Sequence, residues 1–141
     1  MTRAWLGVAA AGVLLGCGDG VGGPPGTRVV VGVIEPGGQI QGALTGPTSG
    51  AVGEPLTFRV TTWGDGCYST AGAAVINQGL QMTVIPYDSV SPGVCRQALF
   101  ALPRDVVVVF DRSGDAVLRL QGSSLVGRNP AVVTWPMQIR P

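Results

Sequence analysis

The chain has no histidine and no lysine, and all nine of its basic residues are arginine. Without an imidazole there is no Ser-His-Asp or Cys-His nucleophile arrangement. Without a lysine there is no Schiff base, no Ser-Lys dyad and no phosphate-binding P-loop amine. Charge of either sign is scarce. Charged residues make up 12% and the formal net charge is +1, which gives no long-range field for nucleic acid or acidic substrates. Zinc sites draw on Cys, His and carboxylates, and three cysteines with no histidine are a poor donor set. No metal and no cofactor is expected. No stretch of ten or more residues carries the 3.6-residue apolar period of an amphipathic helix.

The 141 residues suffice for one domain, and 45% are hydrophobic, well above the range of disordered chains. The 23 glycines and 11 prolines are spread between apolar runs. That spacing fits tight turns joining short strands.

The first sixteen residues, MTRAWLGVAAAGVLLG, place Arg3 ahead of an apolar run from Ala4 to Leu15. The run is too short for a membrane-spanning helix, which needs about 20 apolar residues. It fits the apolar region of a secretory signal, roughly 7–15 residues. Leu14-Leu15-Gly16-Cys17 resembles the lipobox of bacterial lipoproteins. The resemblance implies that Leu14, Leu15 and Gly16 are read by a signal peptidase, that the Cys17 thiol is alkylated with a diacylglyceryl group, and that cleavage frees the Cys17 amino group for acylation. Two or three acyl chains, at about 0.8 kcal/mol per buried CH₂, anchor far more firmly than one. Residues 17–27 then read as a Gly/Pro tether. Asp19 stands one place beyond the position where an Asp retains enterobacterial lipoproteins in the inner membrane. By that resemblance the protein is expected to be exported and anchored in the outer membrane. Gly18 to Gly23 match G-x-G-x-x-G, but a signal peptide precedes them and Pro24-Pro25 follow. The strand and helix that a dinucleotide fingerprint needs are missing, so no nucleotide is expected.

With Cys17 assigned to lipid, Cys67 and Cys95 remain. An even remainder in an exported chain predicts a disulfide. Closing a loop of about 29 residues stabilises by roughly 3–4 kcal/mol in the chain-entropy account.

Residues 28–141 read as short strands. Residues 28–34 are rich in β-branched side chains. A second short strand is expected over 39–44. Leu56, Phe58, Val60 and Thr62 alternate with Thr57, Arg59, Thr61 and Trp63, a period of two that buries one face. Residues 73–77 and 80–87 form a hairpin around Gln78-Gly79, and 96–102 form a moderate strand. Pro103-Arg104-Asp105 is expected to turn the chain, with Arg96 and Arg104 on solvated turns. Residues 106–110, VVVVF, suit a central strand. Ala116, Leu118 and Leu120 alternate, as does 131–139, where Pro136 points to a sheet edge. The expected fold is all-β: an Ig-like antiparallel β-sandwich of seven to eight strands after a signal peptide (1–16) and a tether (17–27). Residues 46–122, with PTSGAVGEPLTFRVTTWGDGC, look like the opening strands of bacterial Ig-like domains. Antibody-type domains carry a Trp between their two cysteines, and none lies between Cys67 and Cys95. The bridge is therefore expected to tie a loop to the sheet.

Asp65, Asp88, Asp111 and Asp115 read as turn formers, since no D-x-D-x-D-G calcium loop exists. Glu35 and Glu54 each precede Pro in turn-like settings and make a weak glycosidase pair. Trp63, Tyr68 and Tyr87 are candidates for an aromatic binding surface, set against plain packing in the core or on the sheet. The expected function is a lipid-anchored cell-envelope binding or structural module without catalysis. It would attach to the membrane through the acyl chains on Cys17 and meet an envelope protein or a glycan. The alternative is an assembly or inhibitor lipoprotein that holds another envelope protein.

Overall fold

A computed structural model describes residues 25–35 and 42–141. The expectations for Leu14, Leu15, Gly16 and Cys17, and residues 39–41 of the short strand expected over 39–44, lie outside the described residues. The described residues are all-β, with ten strands: β1 (Arg28–Val31), β2 (Val33–Glu35), β3 (Leu44–Thr45), β4 (Ser49–Ala51), β5 (Pro55–Gly64), β6 (Tyr68–Gln78), β7 (Gln81–Val90), β8 (Phe100–Val109), β9 (Gly114–Ser124) and β10 (Pro130–Arg140).

Strand pairing builds two ladders. In the first, β5 pairs along its whole length with β8 and takes β3 and β2 on its other edge. The second runs β6–β7–β9–β10–β4, with β1 added on β7. β2 joins the ladders by pairing with both β5 and β9. The inward side chains of both ladders form one core, with Phe58, Val60, Val106, Val108 and Phe110 from the first side and Met82, Val84, Leu118, Leu120 and Ile139 from the second. Phe58 and Phe110 are fully buried, each stabilising by about 1.5–3 kcal/mol from area alone.

The alternating runs fall where the sequence puts them. On β5 the residues Leu56, Phe58, Val60 and Thr62 are buried, and on β9 so are Ala116, Leu118 and Leu120. The hairpin of β6 and β7 turns at Gly79, whose φ of +79° favours glycine; its N–H donates to Asn77 Oδ1 at 2.8 Å.

Other details differ. There are ten strands, because β2, β3 and β4 are only two or three residues long and have no periodic signature. Pairings β2–β9, β4–β10 and β7–β9 are parallel. A parallel pair needs a crossover, and β8, pairing across in the first ladder, provides it between β7 and β9. A period of two sets which face is buried and says nothing about strand direction. The 106–110 run is not central: among the described residues β8 pairs with β5 alone, and Val107 and Val109 are exposed. Residues 96–99 are loop, and the strand starts at Phe100. Residues 103–105 do not turn but continue β8.

The last difference carries the most energy. Arg104 is not on a solvated turn, and Asp88 is not a turn former. Positions 102, 104, 106 and 108 share the inward parity of β8, so Arg104 enters the interior with its side chain 8% exposed. Asp88 shares inward parity with Met82 and Val84 on β7 and is fully buried. The two pair directly, with Arg104 Nη2 on Asp88 Oδ1. Thr62 on β5 donates its hydroxyl to the same Asp88 oxygen at 3.0 Å. Arg104 Nη1 also donates to the carbonyls of Tyr87 and, at 3.0 Å, Gly72. Gly32, between β1 and β2, leaves the space this cluster occupies. A Cβ there would overlap Thr62 Cγ2 and come within 3.0 Å of Asp88 Oδ2.

Removing one member of a buried pair strands the other charge, at about 3–5 kcal/mol. Arg104→Met is expected to lower the unfolding free energy by that amount in urea titration. Arg104→Met combined with Asp88→Asn should recover part of the loss. A single-variant loss below about 1 kcal/mol, the size of an ordinary substitution, would contradict a structural role for the pair.

Candidate functional site

The turn between β5 and β6 is built by Asp65. Its side-chain Oδ1 accepts from Cys67 N at 2.8 Å and its carbonyl accepts from Tyr68 N at 3.1 Å, so a short polar side chain closes the turn on itself. Cys67 in this turn is bonded to Cys95 in the β7–β8 connection, with the Cα atoms 5.2 Å apart. The bridge therefore ties loop to loop, not loop to sheet. Backbone bonds run beside it, from Gly66 N to the Arg96 carbonyl and from Ser91 N to the Cys67 carbonyl, each at 3.0 Å. Asp65, Cys67 and Cys95 lie within 4.8 Å of one another. Since the two sulfurs are bonded together and the carboxylate caps the turn, these groups are already committed.

The same end of the molecule holds a cleft of about 330 Å³. Trp63, at the end of β5, and Tyr68, at the start of β6, supply its aromatic walls, while Leu99, Leu125 and Arg128 close the rim. Gly64 sets the Tyr68 ring in place, since a Cβ at Gly64 would overlap the ring. Arg128 follows Gly127 in the turn between β9 and β10. It has a φ of +52°, the one non-glycine residue in the left-handed region among the described residues. Such backbone positions cost energy and persist where surrounding structure holds them. No salt bridge forms on Arg128 among the described residues.

Two of the three aromatic candidates thus share a site. Tyr87 does not: it lines a separate depression of about 300 Å³ with Val31, Ile85 and Gln121, on the other side of Arg128. Arg128 borders both, and sequence reading missed it because nothing in GRNP marks a cationic rim. Leu125, beside it, follows the alternating run of β9 by one residue and reads as strand end. Among the remaining carboxylate candidates, Glu54 accepts from Ala51 N at 2.8 Å at the opposite end of the molecule from Glu35. They cannot face one glycosidic bond.

What this arrangement offers chemically is an aromatic-walled recess with a guanidinium at its rim. Stacking and polar contact are available there, and the lining carboxylate, Asp65, accepts from Cys67 N. Cys67→Ala with Cys95→Ala should lower stability by roughly 3–4 kcal/mol. The unreduced wild-type domain should show no free thiol at Cys67 or Cys95 on alkylation. Quantitative labelling of both cysteines without reductant would remove the bridge from the account of this site.

No family model, no curated protein and no solved structure matches the chain.

Proposed function

We propose that the protein is a lipid-anchored cell-envelope binding module without catalysis, held in the outer membrane through acyl chains on Cys17. The observation that carries this reading is the disulfide-clamped end of the domain. It joins an aromatic cleft of Trp63 and Tyr68 to the point where the chain arrives from the tether, since Arg28 pairs with Val90 directly beside Tyr68. A permanent bridge suits an exported chain. A chain with neither imidazole nor lysine lacks the usual proton carriers at neutral pH. The envelope ligand is a glycan or a protein, both of which stack or pack on exposed aromatic faces.

A second reading, an assembly or inhibitor lipoprotein that holds another envelope protein, draws on β6. This strand pairs with β7 on one edge and with nothing on its other edge among the described residues. Its eleven residues, YSTAGAAVINQ, include no charge and no proline, and Val75 and Ile76 are exposed. Sheet edges are usually blunted by such residues, and an unblunted one accepts an added strand.

Labelled palmitate should enter the wild-type protein and not the Cys17→Ala variant. Equal labelling of the two would sink the anchor. Cys17→Ala protein released behind a secretory signal separates the two readings by pull-down. Capture of one stoichiometric envelope protein, lost on Ile76→Lys, favours the second. Capture of polysaccharide, reduced by Trp63→Ala or Tyr68→Ala, favours the first.

A further inference from the structure

The chain from the N-terminal side joins the fold at one pole, through residues 25–28. Gly26 lies against Pro92, with a Cβ built there 3.3 Å from the Pro92 ring, and Arg28 pairs with Val90. The chain therefore meets the domain at the pole that holds the disulfide, the 91–99 loop and the 125–129 turn. Leu125 N donates to the Glu35 carbonyl at 3.0 Å, which fixes that turn to the same pole. The opposite pole carries the Gly79 hairpin and the ends of β8 and β10.

Lengths decide which pole meets the bilayer. Eleven residues, 17–27, reach at most about 40 Å at full extension. Strands of ten or eleven residues make the domain roughly 35 Å long. On the anchored reading the near pole therefore lies within about 40 Å of the membrane, and the far pole stands a domain length beyond it.

The near pole has the surface chemistry of an interface-seeking patch. Val94 is 105% exposed, Val126 72% and Leu99 52%, on two neighbouring loops. Arg28, Arg96 and Arg128 are exposed beside them. Among the described residues this pole has no exposed carboxylate: Asp65 and Glu35 are half-buried, and Asp65 is bonded to Cys67 N. At the far pole Glu54, Asp111 and Asp115 are all exposed, against two arginines, Arg112 and Arg140. Apolar tips among cations suit the boundary of an anionic bilayer, where side chains enter the headgroup region and guanidinium groups meet phosphate. A weak intrinsic attraction suffices, because a short tether supplies a high effective concentration.

We infer that this pole docks on the anionic phospholipid surface in which the protein is anchored, with Val94, Leu99 and Val126 at the headgroup boundary and Arg28, Arg96 and Arg128 on lipid phosphates. The inference rests on the anchored reading above and adds a second partner, the lipid surface, at the cleft-bearing end, where Leu99 and Arg128 border both. Docking turns the far pole, and the free edge of β6 along the side, away from the membrane.

The test uses the full protein purified from membranes. It is reconstituted in phosphatidylcholine vesicles, in phosphatidylcholine–phosphatidylglycerol vesicles and in neutral detergent, and amide hydrogen exchange is followed by mass spectrometry. Segments 91–99 and 125–129 should exchange several-fold more slowly in the phosphatidylglycerol vesicles than in the other two. Salt well above physiological strength should reverse the difference, since exposed charges are then screened within a few ångströms. Arg28→Gln/Arg96→Gln/Arg128→Gln should abolish it while exchange in β9 stays unchanged. Arg112→Gln/Arg140→Gln, at the far pole, should leave it intact. Equal exchange in all three environments overturns the inference, as does protection that appears at the far pole. So does protection that persists in the triple variant and in high salt. The mass of the N-terminal peptide reads the anchor separately. An unmodified Cys17 removes the anchor and the inference together, whereas an acylated Cys17 without lipid-dependent protection removes the inference alone.

Discussion

A guanidinium that enters the core from β8 organises this domain. Arg104 reaches Asp88 on β7, shares that carboxylate with Thr62 on β5, and caps the carbonyls of Tyr87 and Gly72. Two charges taken out of water lose several kcal/mol of hydration each, and the loss is offset only when they are paired and bonded in good geometry. The positions of β5, β7 and β8 relative to one another are therefore coupled. A slip by one residue would turn Arg104 or Asp88 outward and leave the other alone in an apolar interior. The cluster links the two ladders at a point where apolar packing alone would tolerate many arrangements, and the bare Gly32 backbone passes over it.

From that cluster the structure extends toward one pole. β5 continues two residues past Thr62 to Gly64, and its last side chain before the turn is Trp63. β6 begins with Tyr68, across from Val90. The Asp65 turn and the Cys67–Cys95 bridge then hold loops of little intrinsic structure at fixed separation. The cleft is thus framed by strand ends on one side and by a covalent clamp on the other. Arg128 is placed by backbone that only a well-determined turn would hold in the left-handed region. The opposite pole, with its hairpin and exposed carboxylates, has no comparable clamp among the described residues.

Much of this was legible in the chain. The alternation of Leu56 to Thr62 and of Ala116 to Leu120 marked strands and their buried faces. The even remainder of cysteines marked the bridge. Trp63 and Tyr68 were marked as aromatic candidates, and they do meet. Arg104 and Asp88 were misread, although the same period of two that located Val106, Val108, Met82 and Val84 puts both of them inside. Their charge and the neighbouring Pro103 argued for turns, and a single charged residue on an inward parity has no visible partner in a linear chain. Arg128 was illegible for a different reason. It belongs to the rim because β9 and β10 bring their connecting turn beside the 91–99 loop, a neighbour some thirty residues away.

Local chemistry determined what could be read from order alone: an all-β chain, its inward residues, and the absence of imidazole and lysine. These are properties of composition and of spacing over a few residues, where side-chain period and turn preference act. Strand direction, the parallel pairs around β9, the partner of each buried charge and the gathering of three arginines at the disulfide-bearing pole were decided by the tertiary structure. Each of those depends on contacts between segments far apart in the chain. Such contacts form only when burial and pairing are satisfied everywhere at once.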